Sequence, residues 1–145
     1  MIKVNIVCVG KLKESFWRDA VAEYSKRLSR FCDLEIRELP ERATLEEEGR
    51  DILRACRGHV IALAVEGKGC SSEKLAAKIK TLCDAGKEIT FLIGSSCGLA
   101  QAVKREANEL LSFSEMTFPH QLMRVVLLEQ VYRAFMINAG AEYHK

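Results

Sequence analysis

No long apolar stretch exists in this chain of 145 residues. The longest unbroken apolar run is Val60–Val65, far short of the roughly 18 residues a membrane helix needs. The opening Met1-Ile2-Lys3-Val4 lacks the basic-then-apolar layout of an export signal, so a cytoplasmic protein with no membrane partner is expected. A strong charge of one sign is also missing. Lys and Arg number 22 against 20 Asp and Glu, a net of +2, which at first sight argues against a nucleic-acid partner. There are six cysteines but no C-x-x-C pair. A zinc cage, a redox pair and, in a reducing compartment, structural disulfides are therefore not expected, and no metal is assigned. Repeats, low-complexity tracts and linkers are absent as well. What remains is ordinary globular composition, 48% apolar and 29% charged, which excludes a disordered chain. The length suits one domain, residues 1–145.

The apolar pattern alternates between short β-branched runs and helical stripes. Ile2–Val9 reads as a buried strand stopped by Gly10. Phe16, Trp17, Ala20, Val21, Tyr24, Leu28 and Phe31 then fall on one helical stripe. Leu34–Leu39 is a second strand, and Thr44-x-x-Glu47 is a capping box opening a helix that closes at Gly58. Val60–Val65 reads as a central strand ended by Glu66-Gly67. A helix capped by Ser71 or Ser72 ends at Gly86, and Ile89–Ile93 is a fourth strand. Ala100–Leu111 reads as helix, Ser112–Thr117 as a short strand-like piece, and His120–Ala139 as the last helix. Strict alternation of strand and helix predicts an α/β fold, a mostly parallel sheet flanked by helices. Ligands of such sheets bind beyond the carboxyl ends of the strands. Those ends are Gly10, Glu66-Gly67, Gly94–Gly98 and Phe113–Phe118.

Three segments invite chemistry. Gly94-Ser95-Ser96-Cys97-Gly98 lies between a strand and a helix, where backbone can approach a ligand; it matches neither G-x-G-x-x-G nor a P-loop, and a plain turn explains it equally well. Thr117-Phe118-Pro119-His120 fixes the entry to the last helix, with Arg124 one turn on from His120. Taken alone, His120 reads as a helix-start residue paired with backbone, and Glu129 with Arg133 as a solvated i,i+4 pair. The helix Leu122–Ile137 is apolar nearly all round, which favours a face against a second subunit. The tail Tyr143-His144-Lys145 is either frayed or a mobile arm.

Ser112–His120 (SFSEMTFPH), Arg124–Phe135 (RVVLLEQVYRAF) and the terminal Tyr143-His144-Lys145 resemble the RlmH-type large-subunit ribosomal RNA pseudouridine N3-methyltransferases of the SPOUT superfamily. Val9–Lys13 and Leu92-Ile93-Gly94 fit the same family, and the resemblance spans the whole chain. It implies a C-terminal trefoil knot, a homodimer, S-adenosylmethionine as cofactor, and a pseudouridine in helix 69 of 23S rRNA on the assembled ribosome as substrate. It places Leu63, Gly94, Phe113, Ser114, Glu115, Met116, Thr117 and Phe118 around the cofactor. His120, Arg124 and Arg133 match positions near the interface, and Lys11 and Lys13 are expected at the substrate. The tail is implied to reach the partner's cofactor. Tyr143, His144 and Glu129 are then equal candidates to take the N3 proton. Where many relatives carry a second glycine after Gly94, this chain has Ser95. Cys97 stands where an Asn or acidic residue is common. Those two departures leave two alternatives open: a non-catalytic nucleotide- or RNA-binding dimer of the same fold, or a methyltransferase acting on tRNA.

The net charge is also unevenly spread. Residues 1–37 carry a net +3 and residues 38–58 a net −2. The basic excess includes Lys11, Lys13, Arg18, Lys26, Arg27 and Arg30. RNA binding that is weak and salt-sensitive is the expectation.

Overall fold

The structure, a computed structural model, describes all residues from Met1 to Lys145. Ten elements alternate along it: β1 (Lys3–Val9), α1 (Ser15–Leu28), β2 (Asp33–Leu39), α2 (Leu45–Ala55), β3 (His59–Gly69), α3 (Ser72–Asp84), β4 (Ile89–Ile93), α4 (Gln101–Glu106), β5 (Glu109–Ser112) and α5 (His120–Asn138). The strands form one parallel sheet in the order β2-β1-β4-β3-β5. β4, not the Val60–Val65 strand, is therefore central.

Side chains alternate across the strands and divide the interior into two layers. Val4, Ile6 and Cys8 of β1, with Ile89, Phe91 and Ile93 of β4, face a core completed by α1, α3 and α5. Val7, Val9, Ala62 and Leu92 face the opposite core, closed by α2 and α4. The helices begin where local chemistry directs. Thr44 accepts the Glu47 N–H at 3.2 Å and Ser71 accepts the Lys74 N–H at 3.1 Å, which settles the choice between Ser71 and Ser72. No helix is long and apolar enough to cross a membrane.

Four sequence expectations are corrected. The helix expected over Ala100–Leu111 stops at Glu106, and the strand follows at once instead of at Ser112. Asn108 causes the switch: its N–H donates to the Val60 carbonyl at 2.9 Å and its Oδ1 accepts the Val60 N–H at 2.7 Å, drawing the chain onto the sheet edge. Phe113–Thr117 is loop. β3 does not end at Glu66-Gly67 but runs to Gly69, with an irregularity between Leu63 and Lys68 in its pairing with β5. Gly67 permits this, because a Cβ there would lie 2.7 Å from the Leu110 carbonyl carbon. Finally, Phe16 leaves the stripe it was read on: it is 61% exposed.

Candidate active site

The middle of β3 and the carboxyl ends of β4 and β5 open into a cleft of about 820 Å³. Its walls come from residues 63–66, 93–99 and 113–121, the strand ends that the alternating pattern nominates. Leu63, Gly94, Phe113, Ser114, Met116, Thr117 and Phe118 all line it. Glu115 does not: it is exposed and lies off the wall. The segment is shaped by its own hydroxyls. Ser112 Oγ donates to the Ser114 carbonyl at 3.0 Å, and Ser114 Oγ accepts the Met116 N–H at 3.0 Å. Met116 is left 73% exposed at the rim.

Gly94 is required by its own loop. A Cβ there would stand 2.3 Å from the Gly98 carbonyl oxygen, because the chain turns back within four residues. Ser95 secures that turn from the other side. Its Oγ donates to Glu48 Oε1 at 3.0 Å and accepts the Cys97 N–H at 3.3 Å. Glu48, in the first turn of α2, is 6% exposed, and its second oxygen accepts the Arg42 N–H at 3.1 Å. Cys97 itself is exposed. Sequence reasoning missed Glu48 because a carboxylate inside a capping-box helix reads as a first-turn charge. It also missed the rim pair Lys104–Glu66, at 2.7 Å. The Lys104 hydrogen bond holds the Glu66 carboxyl below its ordinary range.

His120 lines the cleft, but its Nδ1 is buried with no hydrogen-bond partner. Burial, and then the Arg124 charge, push its pKa below the usual imidazole value. Arg124 requires a correction. Expected at the substrate or interface, it is 2% exposed and bonded to Glu38 at 2.7 Å, to the Gly10 carbonyl at 2.6 Å and to the Val9 carbonyl at 3.2 Å. It anchors the end of β1 to α5 and reaches no solvent.

Glu129, Arg133, Tyr143 and His144 form one network, away from their own chain's cleft. The Tyr143 hydroxyl donates to Glu129 Oε1 at 2.6 Å. Arg133 donates to both Glu129 oxygens, at 3.2 and 3.1 Å, and to His144 Nδ1 at 3.1 Å. His144 Nε2 meets Glu73 Oε1 at 2.5 Å. A guanidinium only donates, so Nδ1 is the unprotonated nitrogen and Nε2 carries the proton. The Glu129 hydrogen bond and partial burial push the Tyr143 hydroxyl up to about 12. The tail is thus docked rather than frayed, and the Glu129–Arg133 pair is part of a larger set. Lys11 and Lys13 are exposed in the loop after β1, at the same carboxyl end of the parallel sheet as the cleft. Nowhere are three His, Cys, Asp or Glu side chains grouped to hold a metal ion.

A family model described as Predicted SPOUT methyltransferase matches residues 2–144. A Ribosomal RNA large subunit methyltransferase H from Bifidobacterium adolescentis is 51% identical, over 99% of this chain and 100% of that protein. One from Streptococcus sanguinis is 49% identical over the same shares. The fold is similar to the crystal structure of the SpoU methyltransferase AviRb from Streptomyces viridochromogenes in complex with the cofactor AdoMet. That likeness has a TM-score of 0.53 at 9% identity and covers 97% of this chain and 59% of that one. With the family model and the full-length relatives in agreement, the chain belongs to the SPOUT methyltransferases, in the ribosomal RNA large subunit methyltransferase H family.

Proposed function

We propose that this protein is an S-adenosylmethionine-dependent methyltransferase acting on N3 of a pseudouridine in helix 69 of 23S rRNA, on the assembled ribosome. The observation that carries the reading is the 51% identity over the full length of a large-subunit rRNA methyltransferase. The cleft suits the cofactor. Leu63, Ile93, Leu99 and Leu111 give it apolar walls for an adenine, while Ser95, Ser114 and the Lys104–Glu66 pair give it a polar rim. The unpartnered His120 Nδ1 marks a polar group with unmet bonding capacity beside it. Leu63, Gly94 and the segment from Phe113 to Phe118, Glu115 excepted, would hold the cofactor, whose sulfonium supplies an activated methyl group. Ser95, one feature behind the non-catalytic alternative, is tied to Glu48 and leaves the cleft open.

The protein's own work is positioning the base and accepting the N3 proton. Among the three candidates, His144 Nδ1 is the best proton acceptor. Tyr143 keeps its proton through the neutral range, and Glu129 already accepts three hydrogen bonds. Arg133 must turn aside for Nδ1 to act. Glu129 stands nine residues beyond His120, roughly 14 Å along α5 at about 1.5 Å per residue, so the tail serves a partner's cleft rather than its own. The half-buried Leu122, Val125 and Val126 of α5 give that homodimer its apolar face. In this reading residues 1–145 act as one cytoplasmic domain, with the C-terminal segment tied in a trefoil knot.

The test is methyl incorporation into ribosomes lacking the mark, compared with free 23S RNA and tRNA. Ribosomes are expected to be the preferred acceptor, and preferential labelling of tRNA would refute the substrate. A chain truncated after Gly140 is expected to lose at least a hundredfold in transfer while binding cofactor normally by calorimetry. Full transfer by the truncated chain would refute the role of the tail.

A further inference from the structure

We infer that Phe16 and Trp17, with the basic loop before them, form a second RNA contact: a stacking platform for an unpaired base close to the one being methylated. The inference rests on the reading above that ribosomal RNA is the substrate. Both side chains stand outside the two apolar cores. Their ring centroids are 4.9 Å apart at an interplanar angle of 55°. Phe16 is exposed and Trp17 half-buried, so the pair offers an open aromatic face at the start of a helix that neither core uses, and unpaired bases stack on such faces.

The surroundings select a polyanion. Lys11, Lys13 and Arg18 flank the pair, with Glu14 and Asp19 the only acidic neighbours in the segment, leaving it net positive. Lys11 and Lys13 are both exposed, and neither joins an ion pair. No side chain caps the first turn of α1, so its N–H groups stay free and add positive potential that the N-cap residue Glu14 only partly offsets. A second copy of this chain would bring the same basic groups against these, which disfavours a subunit contact here. RNA answers both the charge and the rings.

The platform is also held in register with the cleft. Arg18 donates to the Lys13 carbonyl and, at 3.3 Å, to the Leu12 carbonyl. The Leu12 N–H donates to Glu38 Oε2 at 3.1 Å, and that oxygen also holds Arg124 at 2.7 Å. Arg124 lies one turn after His120, which lines the cleft. A base in the cleft and a neighbour on Phe16–Trp17 therefore meet one rigid frame.

Trp17 is the chain's single tryptophan, so its emission reports on this patch alone. A stem-loop RNA with unpaired pseudouridines, added to the full-length protein at low salt, is expected to quench it to saturation. Phe16→Ala is expected to raise KM for unmethylated ribosomes about tenfold, equivalent to about 1.4 kcal/mol. Its kcat should stay within twofold, with cofactor affinity and sedimentation unchanged. Trp17→Phe, which keeps a ring, should retain most of the ribosome affinity. Joint replacement of Lys11 and Lys13 by Ala should reduce the salt slope of RNA binding by about one to two. A normal ribosome KM for Phe16→Ala overturns the inference. So does unchanged Trp17 emission at RNA concentrations that saturate filter binding, or loss of dimer in Phe16→Ala. Quenching by RNA without methyl transfer to ribosomes would refute the proposed function and leave the platform standing.

Discussion

The Ser95–Glu48 hydrogen bond joins the Gly94–Gly98 loop to a buried carboxylate in the first turn of α2, an attachment that a glycine at position 95 could not make. Glu48→Gln and Ser95→Ala are each expected to weaken S-adenosylmethionine binding about fivefold, close to the ~1 kcal/mol of one hydrogen bond. Calorimetry measures this, and unchanged affinity in both variants would show the loop to be held without them. Arg124 acts on stability instead. Its guanidinium answers the carbonyls of Val9 and Gly10 and the carboxylate of Glu38. Arg124→Met should cost about 2–3 kcal/mol in urea unfolding, since it strands those acceptors. Sequence reading put Arg124 on the His120 face of the helix, and the resemblance put it near an interface, where its burial does not leave it. Helical spacing says which residues share a face, not whether that face meets water or the sheet.

The parallel sheet, its alternation with helices and four of the five strands were legible, because β1, β3 and β4 are short runs rich in β-branched residues and β2 is stopped by Pro40. The α4–β5 boundary was not. Leu110 and Leu111 continue a helical apolar spacing, and only the sheet edge offered by Val60 tells them to extend. Of the cleft, the strand-end segments were legible from topology and resemblance; Glu48 was not, since nothing local announces a partner 47 residues away. The same edge carries a titrating network. Glu109, at the start of β5, accepts from Lys78 and lies 2.6 Å from His59. Burial alone would raise its carboxyl, but the Lys78 and His59 hydrogen bonds outweigh that and hold it below the usual value. An acid depressed in the folded state stabilises above its unfolded pKa, and that stability fades as pH falls through the folded one. Glu109→Gln should therefore cost about 1 kcal/mol near neutrality. The gap to the unmodified protein should close below the ordinary carboxylate range. A gap that persists in acid would assign the cost to packing instead.

At the scale of the whole molecule, the near-zero net charge conceals an ordered division. The basic excess of residues 1–37 reaches the carboxyl end of the sheet, where the cleft opens, and the acidic residues 38–58 supply Glu38 and Glu48, which brace the two loops there. Near-neutrality is thus compatible with an RNA partner, and suits recognition of one assembled surface better than adhesion to any RNA.

The sheet order has a further consequence, for the way the chain is made. β1 is synthesised first, yet its inner edge pairs with β4, Val4 lying against Ile89. Until β4 emerges from translation, β1 can join only β2, and one side of the future central sheet stays open. An open apolar strand edge invites pairing with other chains, and such distant pairing makes folding slow, of the order of milliseconds to seconds. A chain ending at Glu88 should therefore aggregate or stay unfolded by light scattering and circular dichroism, whereas cooperative unfolding of that fragment would contradict this. The yield of active enzyme would then depend on how quickly the second half of the message is read.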